Sequence, residues 1–263
     1  MAAPLFSVIV ATHERPALLE RALASLAAQT FRDFETIVVS DEPSAATHAA
    51  AGRGLGPNDV YLRRRGTPGP GPSRNAGLRL ASGEYVLFLD DDDSYDPGLL
   101  ERFAGCGRLD RRTVLYCDLE IVMESRSSAP PRRLSSSRVD TGAQRPEDLL
   151  VENFIPNNCV AVPRAAALRL GFDERLHKLE DWDFLLGLLQ HGAFAHLDFA
   201  GPRYHRDPAG EGHRDSYAPA DRNQLALDHL CIYRKWPAAT EAQRAARAAV
   251  LARWGMQLPS GWL

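Results

Sequence analysis

Apolar and polar positions along the first forty residues follow two different periods. Residues 6–12, FSVIVAT, form a mainly apolar, β-branched run, which is typical of a strand covered on both faces. Pro16 opens a segment with apolar side chains at positions 18, 19, 22, 23 and 26, which predicts an amphipathic helix. Residues 34–41, FETIVVSD, form a second buried run. Together these predict a βαβ unit with parallel strands and a right-handed crossover.

The pattern continues through the middle of the chain. Residues 66–72, GTPGPGP, predict a loop, and a helix is expected to begin with Ser73 as its cap and to end at Gly83. Other expected elements are strands over 59–65, 84–90 and 113–124, a short helix opened by Asp96 and Pro97, and a polar insertion over 125–146 that forms either a mobile loop or an exposed hairpin.

The second half of the chain has a less regular pattern. Residues 157–174 predict a strand followed by a helix, and residues 179–192, LEDWDFLLGLLQHG, predict an amphipathic helix. Residues 203–219 contain glycine and proline and predict a loop, whereas the tail from about residue 220 is expected to be helical. The chain is therefore predicted to have an α/β N-terminal half and a mixed second half.

Composition and charge exclude several classes of protein. The chain has 263 residues, of which 44% are hydrophobic and 25% charged, as in ordinary globular domains. Its formal net charge of −3 argues against a general nucleic-acid-binding protein. No apolar run approaches the ~18 residues of a membrane span. A soluble cytoplasmic protein is expected, with peripheral membrane contact left open, and its four separated cysteines are expected to be buried free thiols.

Acidic side chains follow the predicted strands at the ends where open α/β sheets bind ligands. They are Glu14 after the first strand, Asp41 at the end of the second, and the tetrad of residues 90–93, DDDD, after the strand over 84–90. A single aspartate in such a place is more often a helix cap or a turn residue. Four adjacent carboxylates repel one another, and a divalent cation such as Mn²⁺ or Mg²⁺ would neutralise them.

A second acidic cluster lies at the predicted start of the 179–192 helix. Glu180, Asp181 and Asp183 fall in its first turn, where the helix dipole stabilises negative charge without any functional role. The neighbouring Trp182 offers an apolar wall that would raise the pKa of a carboxyl group toward the range of a general base. Both interpretations stay open on the residues alone.

Three segments, taken in order, carry a family pattern: residues 6–44, residues 73–100 with RNAG and LDDDD, and residues 171–189 with the Glu-Asp pair. Together they resemble family 2 inverting glycosyltransferases of the GT-A fold. The resemblance implies a Rossmann-like α/β three-layer sandwich with a mixed, mainly parallel central sheet and a helical C-terminal tail. It implies a GT-A domain over 1–215, with a nucleotide-binding half (1–95) and an acceptor half (96–215), and a helical extension over 216–263.

The resemblance also implies roles for individual residues on the donor side. Asp41 matches the aspartate that hydrogen-bonds the nucleobase, often uracil. Thr12 and Glu14 match loop positions that contact the nucleotide, and Arg74 matches a basic residue near it.

Within the tetrad, the family's D-x-D pattern fits either Asp90 with Asp92 or Asp91 with Asp93. Counting back from the following tyrosine and proline places the metal ligand at Asp92. Asp90 and Asp91 are then expected nearer the ribose and the sugar, and Asp93 in a local structural role.

On the acceptor side, Asp181 matches the general base of the Glu-Asp motif, with Glu180 beside it as a substrate-binding residue. His205 and His213 lie in a segment that relatives use as a lid, and His205 is expected to contact the metal; exposed loop histidines are the alternative. Asn157 and Asn158 either contact a sugar or stabilise a turn.

The resemblance therefore implies an inverting, metal-dependent glycosyltransferase that uses a nucleoside-diphosphate sugar, expected to be a UDP-sugar, and a hydroxyl acceptor. The acceptor would be a polysaccharide, a glycolipid or a natural product, and a homodimer is left open. The alternatives are a nucleotide-sugar-binding module without activity and a sugar-phosphate nucleotidyltransferase. The second would normally carry a glycine-rich loop after the first strand, which ATHERPALL lacks.

Overall fold

A computed structural model describes residues 3–42, 44–128, 131–176, 178–209, 221–259, 261 and 263. Within these residues one sheet contains β1 Phe6–Thr12, β2 Phe34–Ser40, β3 Val60–Arg63, β4 Tyr85–Asp90, β5 Ser94–Tyr95, β6 Val114–Ser125, β7 Arg132–Val139, β8 Val160–Pro163 and β9 Phe194–Arg206. The α-helices are α1 Pro16–Ala27, α2 Ala45–Gly54, α3 Pro70–Leu80, α4 Leu99–Ala104, α5 Arg164–Leu170, α6 Glu180–Leu189, α7 Asp221–Lys235 and α8 Glu241–Arg253.

The sheet is mixed and mainly parallel on its N-terminal side. Its strand order is β3-β2-β1-β4-β8-β6-β9-β5, and β7 pairs with β6 beside this path. Strands β1 to β4 are parallel, which confirms the predicted βαβ unit. β8 runs antiparallel to both β4 and β6, whereas β6 and β9 are parallel.

Helices cover both faces of the sheet and give the predicted three layers. Successive residues of a strand point to opposite faces. Val8 and Val10 accordingly pack in one buried cluster with Leu19 of α1, and Ile9 packs in the other with Trp182 of α6. Helix α3 approaches β1 closely, because a Cβ atom at Gly77 would lie only 2.5 Å from Cγ2 of Ile9.

The last two helices pack on the same face of the sheet as α6. Tyr233 of α7 and Leu251 of α8 are buried in the cluster that contains Trp182. The expected boundary between residues 215 and 216 lies in 210–220, outside the described residues, so the division into domains stays a prediction. No helix among the described residues is both long and apolar enough to cross a bilayer.

The structure corrects the predicted helix boundaries in the nucleotide-binding half. The hydrophobic pattern does not predict α2, which Ser44 caps by accepting a hydrogen bond from the backbone N–H of Thr47. Helix α3 begins at Pro70 and not at Ser73, because proline is well tolerated in the first turn. The Ser73 hydroxyl instead accepts a hydrogen bond from Arg64 Nε at 2.9 Å.

The second half contains more strand than the pattern predicts. β9 continues to Arg206, into the segment predicted as a loop, because it pairs with β6 for most of its length. Of the two forms expected for the polar insertion, the exposed hairpin is correct, since β7 pairs antiparallel with β6. All four cysteines are free; Cys117 and Cys159 are buried as predicted, whereas Cys231 is exposed.

Candidate active site

A cleft opens where the carboxyl ends of β1, β2 and β4 meet. In the strand pairing Thr12 is level with Ser40, and Ala11 is level with Asp90. The cleft has a volume of about 420 Å³. Among the residues that line it are His13, Arg15, Asp41, Asp90, Asp91, Asp92 and Tyr204.

The aspartates of the tetrad fall into two pairs, buried and partly exposed. Asp91 and Asp93 are fully buried, whereas the side chains of Asp90 and Asp92 are 29% and 27% exposed. β4 ends at Asp90, and the chain then turns, with the Asp93 N–H donating to the Asp90 carbonyl at 3.1 Å. Three of these carboxylates line the cleft, and that of Asp93 lies behind it.

Arg15, which the sequence pattern did not single out, provides positive charge next to the tetrad. Its Nη2 lies 2.9 Å from Asp91 Oδ1, and its Nη1 donates to Asp92 Oδ2 at 3.0 Å. Thr12 Oγ1 donates to the other oxygen of Asp91 at 2.7 Å. The pair with Asp91 is not aligned as a hydrogen bond, so Asp91 Oδ1 has no donor among the described residues. Burial raises the pKa of Asp91 to about 6, although Arg15 opposes this.

His205 and Asp93 belong to a buried network behind the cleft. Asn158 Nδ2 and the backbone N–H of His205 donate to the two oxygens of Asp93, at 2.7 and 3.1 Å. The His205 ring bridges Ser94 Oγ, 2.8 Å from Nε2, and Glu124 Oε2, 2.9 Å from Nδ1. Burial lowers the pKa of His205 and raises that of Asp93 well above its usual range. Both ring nitrogens of His205 therefore already have hydrogen-bond partners.

Glu124 and Arg21 extend this network, and the sequence pattern did not indicate either of them. Arg21 Nη1 donates to Glu124 Oε1 at 2.6 Å, and Arg21 Nη2 donates to the backbone carbonyl of Asp92. Burial alone would raise the pKa of Glu124, but hydrogen bonds from Arg21 and Arg126 lower it to about 2. These contacts tie the turn after β4 to α1 and to the end of β6.

Arg74 joins the tetrad to the start of α6. Its Nη2 donates to Asp90 Oδ1 at 2.6 Å, and its Nη1 donates to Glu180 Oε1 at 2.7 Å. The guanidinium also lies over the ring of Phe172, 5.4 Å from its centroid. The two acidic clusters found in the sequence are thus bridged by one buried cation.

Asp41 lies in the cleft with both carboxylate oxygens engaged. Oδ1 is 2.7 Å from His13 Nδ1, and Oδ2 accepts a hydrogen bond of 2.7 Å from the backbone N–H of Gly69. Arg64 Nη2 approaches Oδ2 at 3.5 Å. The His13 ring is half-exposed in the cleft. Its pKa is raised, and the largest cause is the hydrogen bond to Asp41.

Asp181 is the second residue of α6 and follows Glu180, which pairs with Arg74. Leu179, with φ at 61°, turns the chain into the helix, and Asp181 is 8% exposed. Its Oδ1 accepts a hydrogen bond from the N–H of Trp182 at 2.9 Å. Trp182 is fully buried next to it and donates its indole N–H to the carbonyl of Leu149. Asp181 is not itself among the residues that line the cleft. Its helix, α6, is connected to the cleft through Arg74, which bonds to both Glu180 and Asp90.

Three other predicted positions differ in their surroundings. Glu14 is exposed and has a left-handed backbone with φ at 49°. Asn157 is 4% exposed, and neither of its amide atoms has a hydrogen-bond partner among the described residues. His213 lies outside the described residues.

A further group of potential metal ligands lies away from the cleft. Asp118, Asp140 and His196 each offer one ligand atom, and these three atoms lie within 4.8 Å of one another. Asp118 is already paired, since it accepts from Arg138 Nε at 2.9 Å, lies 2.7 Å from His196 Nε2, and accepts from the backbone N–H of Thr141. These contacts join β6, β9 and the turn after β7.

Residues 7–169, which include most of β1, the tetrad and most of the sheet, match the family model described as glycosyl transferase family 2. The chain belongs to glycosyl transferase family 2.

One relative is the GalNAc(5)-diNAcBac-PP-undecaprenol beta-1,3-glucosyltransferase of Campylobacter jejuni. It is 42% identical over 101 residues, which cover 37% of this chain and 32% of that protein. The chain spans 32% to 64% of the length of the first three curated relatives it matches.

Two solved structures share the fold at low identity. S. aureus TarS 1–349 in complex with UDP-GlcNAc has a TM-score of 0.67 at 23% identity, covering 98% of this chain and 74% of that one. The mannosyltransferase PcManGT of Pyrobaculum calidifontis, in complex with GDP-Man and Mn²⁺, has a TM-score of 0.60 at 18% identity, covering 99% and 78%. Both likenesses support the GT-A fold.

Proposed function

We propose that the chain is a metal-dependent, inverting glycosyltransferase that moves a sugar from a nucleoside-diphosphate sugar to a hydroxyl acceptor. The observation that carries the proposal is the convergence of Asp41, Asp90, Asp91 and Asp92 in one cleft at the carboxyl edge of the sheet. TarS is described with UDP and UDP-GlcNAc, which supports a UDP-sugar as the donor.

On the donor side, Asp41 would contact the nucleobase, held in place by His13 and by the N–H of Gly69. Thr12 ends β1 and Glu14 lies just after it, where both would contact the nucleotide. Asp90 and Asp91 would face the ribose and the sugar. Arg74 would act from behind Asp90, since it is buried and bonded to that carboxylate.

The residues of the tetrad fit a divalent cation. Asp91 Oδ1 is a buried carboxylate oxygen to which no described residue donates a hydrogen bond, and Asp92 carries a partly exposed carboxylate beside it. Carboxylate oxygens suit Mn²⁺ or Mg²⁺. When bound, the ion would neutralise charge on the departing diphosphate. His205 would have to exchange its contact with Ser94 for the ion, because both of its ring nitrogens are engaged.

On the acceptor side, Asp181 would act as the general base. In a single displacement the acceptor oxygen bonds to the anomeric carbon as the bond to the diphosphate breaks, and the hydroxyl proton passes to Asp181. The Campylobacter jejuni relative is named for an undecaprenol-linked acceptor, which supports a glycolipid or a growing polysaccharide as the acceptor. A cytoplasmic location is part of the proposal.

A nucleotide-sugar-binding module without transferase activity is the second candidate. It is favoured by one observation, that Asp181 is not among the residues lining the cleft and accepts a hydrogen bond from the N–H of the next residue in its own helix.

The test combines binding and turnover. Calorimetry with Mn²⁺ should show tighter binding of UDP than of GDP or dTDP. A panel of UDP-sugars should then give release of UDP, with NMR showing the released or transferred sugar in the inverted configuration. Binding of UDP-sugars without any turnover would favour the binding module, and a response only to nucleoside triphosphates would favour a nucleotidyltransferase.

A further inference from the structure

We propose that Arg15 is an internal counter-cation, which holds Asp91 and Asp92 together when no metal ion is bound and has to leave them before a divalent cation can bind. The inference rests on the proposed metal dependence and goes beyond it, since it concerns the order in which the metal and the nucleotide enter.

The geometry sets Arg15 apart from the other arginines around the tetrad. Its guanidinium spans two carboxylates, with Nη2 2.9 Å from Asp91 Oδ1 and Nη1 3.0 Å from Asp92 Oδ2. Arg74 instead pairs with Asp90 and with α6, and Arg21 donates to Glu124 and to the backbone carbonyl of Asp92. Arg15 therefore bridges the two carboxylate oxygens that a metal ion would need.

Exposure makes Arg15 the member of this group that can move. Its side chain is 48% exposed, whereas that of Asp91 is fully buried and fixed by Thr12. Arg15 is the residue before α1, and its side chain makes no capping hydrogen bond to that helix. A long arginine side chain at such a position can change rotamer without disturbing the core.

A guanidinium 2.9–3.0 Å from these oxygens competes with a divalent cation for them. Ion–oxygen distances are about 2.0–2.2 Å for Mg²⁺, and two positive charges beside the same carboxylates repel each other. A metal ion alone must therefore displace Arg15 without compensation. A nucleoside diphosphate brings new negative charge to the cleft, with which the displaced guanidinium can pair. The metal is accordingly expected to bind weakly alone and tightly with the nucleotide.

The experiment measures Mn²⁺ binding to the nucleotide-free protein by electron paramagnetic resonance, which needs no turnover. Arg15→Ala should bind Mn²⁺ about tenfold more tightly than the wild type, because one competing positive charge is removed at a partly exposed site. Arg15→Gln should give the same direction of change. The matched control is Arg53→Ala, which removes an equal charge from an exposed pair with Glu20 on α1. It should leave the affinity unchanged.

Asp92→Ala in both backgrounds separates the possible failures. The inference predicts that the gain from Arg15→Ala disappears once Asp92 is replaced. If Asp92→Ala abolishes Mn²⁺ binding but Arg15→Ala leaves it unchanged or weakens it, the metal site stands and the counter-cation role is refuted. If Asp92→Ala changes nothing with or without UDP, the proposed metal site itself is wrong, and the inference fails with it.

Discussion

Arg74 on α3 and Glu180 at the start of α6 form a buried ion pair, with 2.7 Å between Nη1 and Oε1 and side chains 2% and 1% exposed. The other branch of the guanidinium bonds to Asp90 at 2.6 Å. The helix that carries Asp181 is therefore positioned against the tetrad through one side chain, and the stability of the fold depends on that side chain as well.

Replacing Arg74 by Met should lower the free energy of unfolding by about 3–5 kcal/mol, because it leaves Glu180 buried without this cation. Urea titration followed by circular dichroism measures the change. Arg79→Met is the control, since Arg79 is exposed at the end of the same helix and should cost no more than about 0.5 kcal/mol. Equal effects of the two substitutions would show that the ion pair contributes no net stability.

Asp181→Asn should keep the affinity for UDP and lower the rate of sugar transfer by about a hundredfold or more, because the amide cannot accept the hydroxyl proton. Single-turnover assays and calorimetry on the same preparation measure the two quantities. Asp183→Asn is the matched control on the same helix. Asp183 bonds to Lys235 and Trp236 at 2.8 Å each, so its replacement should reduce stability but not the rate per folded molecule. Full activity of Asp181→Asn would rule out the base.

Much of the cleft could be predicted from the sequence because its acidic residues directly follow strong strand signals. Asp41 and Asp90 are placed by β2 and β4, whose parallel pairing through β1 has one register that keeps apolar side chains buried. The arginines are different. Arg15 contacts Asp92, which lies 77 positions later in the chain, and Arg21 contacts Glu124, which lies 103 positions later. No local period encodes such pairs, so they emerge only once the chain is folded.

The missed elements have physical causes of the same kind. The strand β9 has mixed polarity, and its hydrogen bonds depend on β6, some eighty residues earlier. Helix α2 has little apolar periodicity and is rich in alanine, so its cap at Ser44 was its main local signal. Tertiary pairing and helix propensity decide these segments, and neither leaves a clear hydrophobic pattern.

Asp118 should make stability depend on pH in the acid range. Burial alone would raise its pKa, but hydrogen bonds from Arg138, His196 and Thr141 lower it below its ordinary value of 3.8. A carboxyl with a depressed folded pKa stabilises the protein fully above its unfolded pKa, and this contribution is lost as the pH falls through the folded pKa. Asp118→Asn should therefore flatten the decline of unfolding free energy below about pH 4.

Urea titrations at several pH values measure that decline. The control is Asp198→Asn, which removes the other carboxylate paired with Arg138. The Asp198 side chain is 85% exposed, so this variant should keep the wild-type dependence of unfolding free energy on pH. Identical curves for wild type and Asp118→Asn would assign the acid sensitivity to other groups.

Arg247 of α8 should hold the C-terminal helices to the rest of the fold. It is fully buried and donates to the carbonyls of Leu150 and Trp236 at 2.7 Å each, and to that of Leu263 at 3.1 Å. Arg247→Met should cost about 3 kcal/mol, because these buried carbonyls lose their donors. Arg244→Met, which removes a surface pair with Glu241, should cost at most about 0.5 kcal/mol.

Because Arg247 joins α8 to residues before α5, the wild-type protein is expected to unfold in one transition when followed by both far-ultraviolet circular dichroism and tryptophan fluorescence. Two separate transitions, with only the first sensitive to Arg247→Met, would instead identify the C-terminal helices as an independent unit.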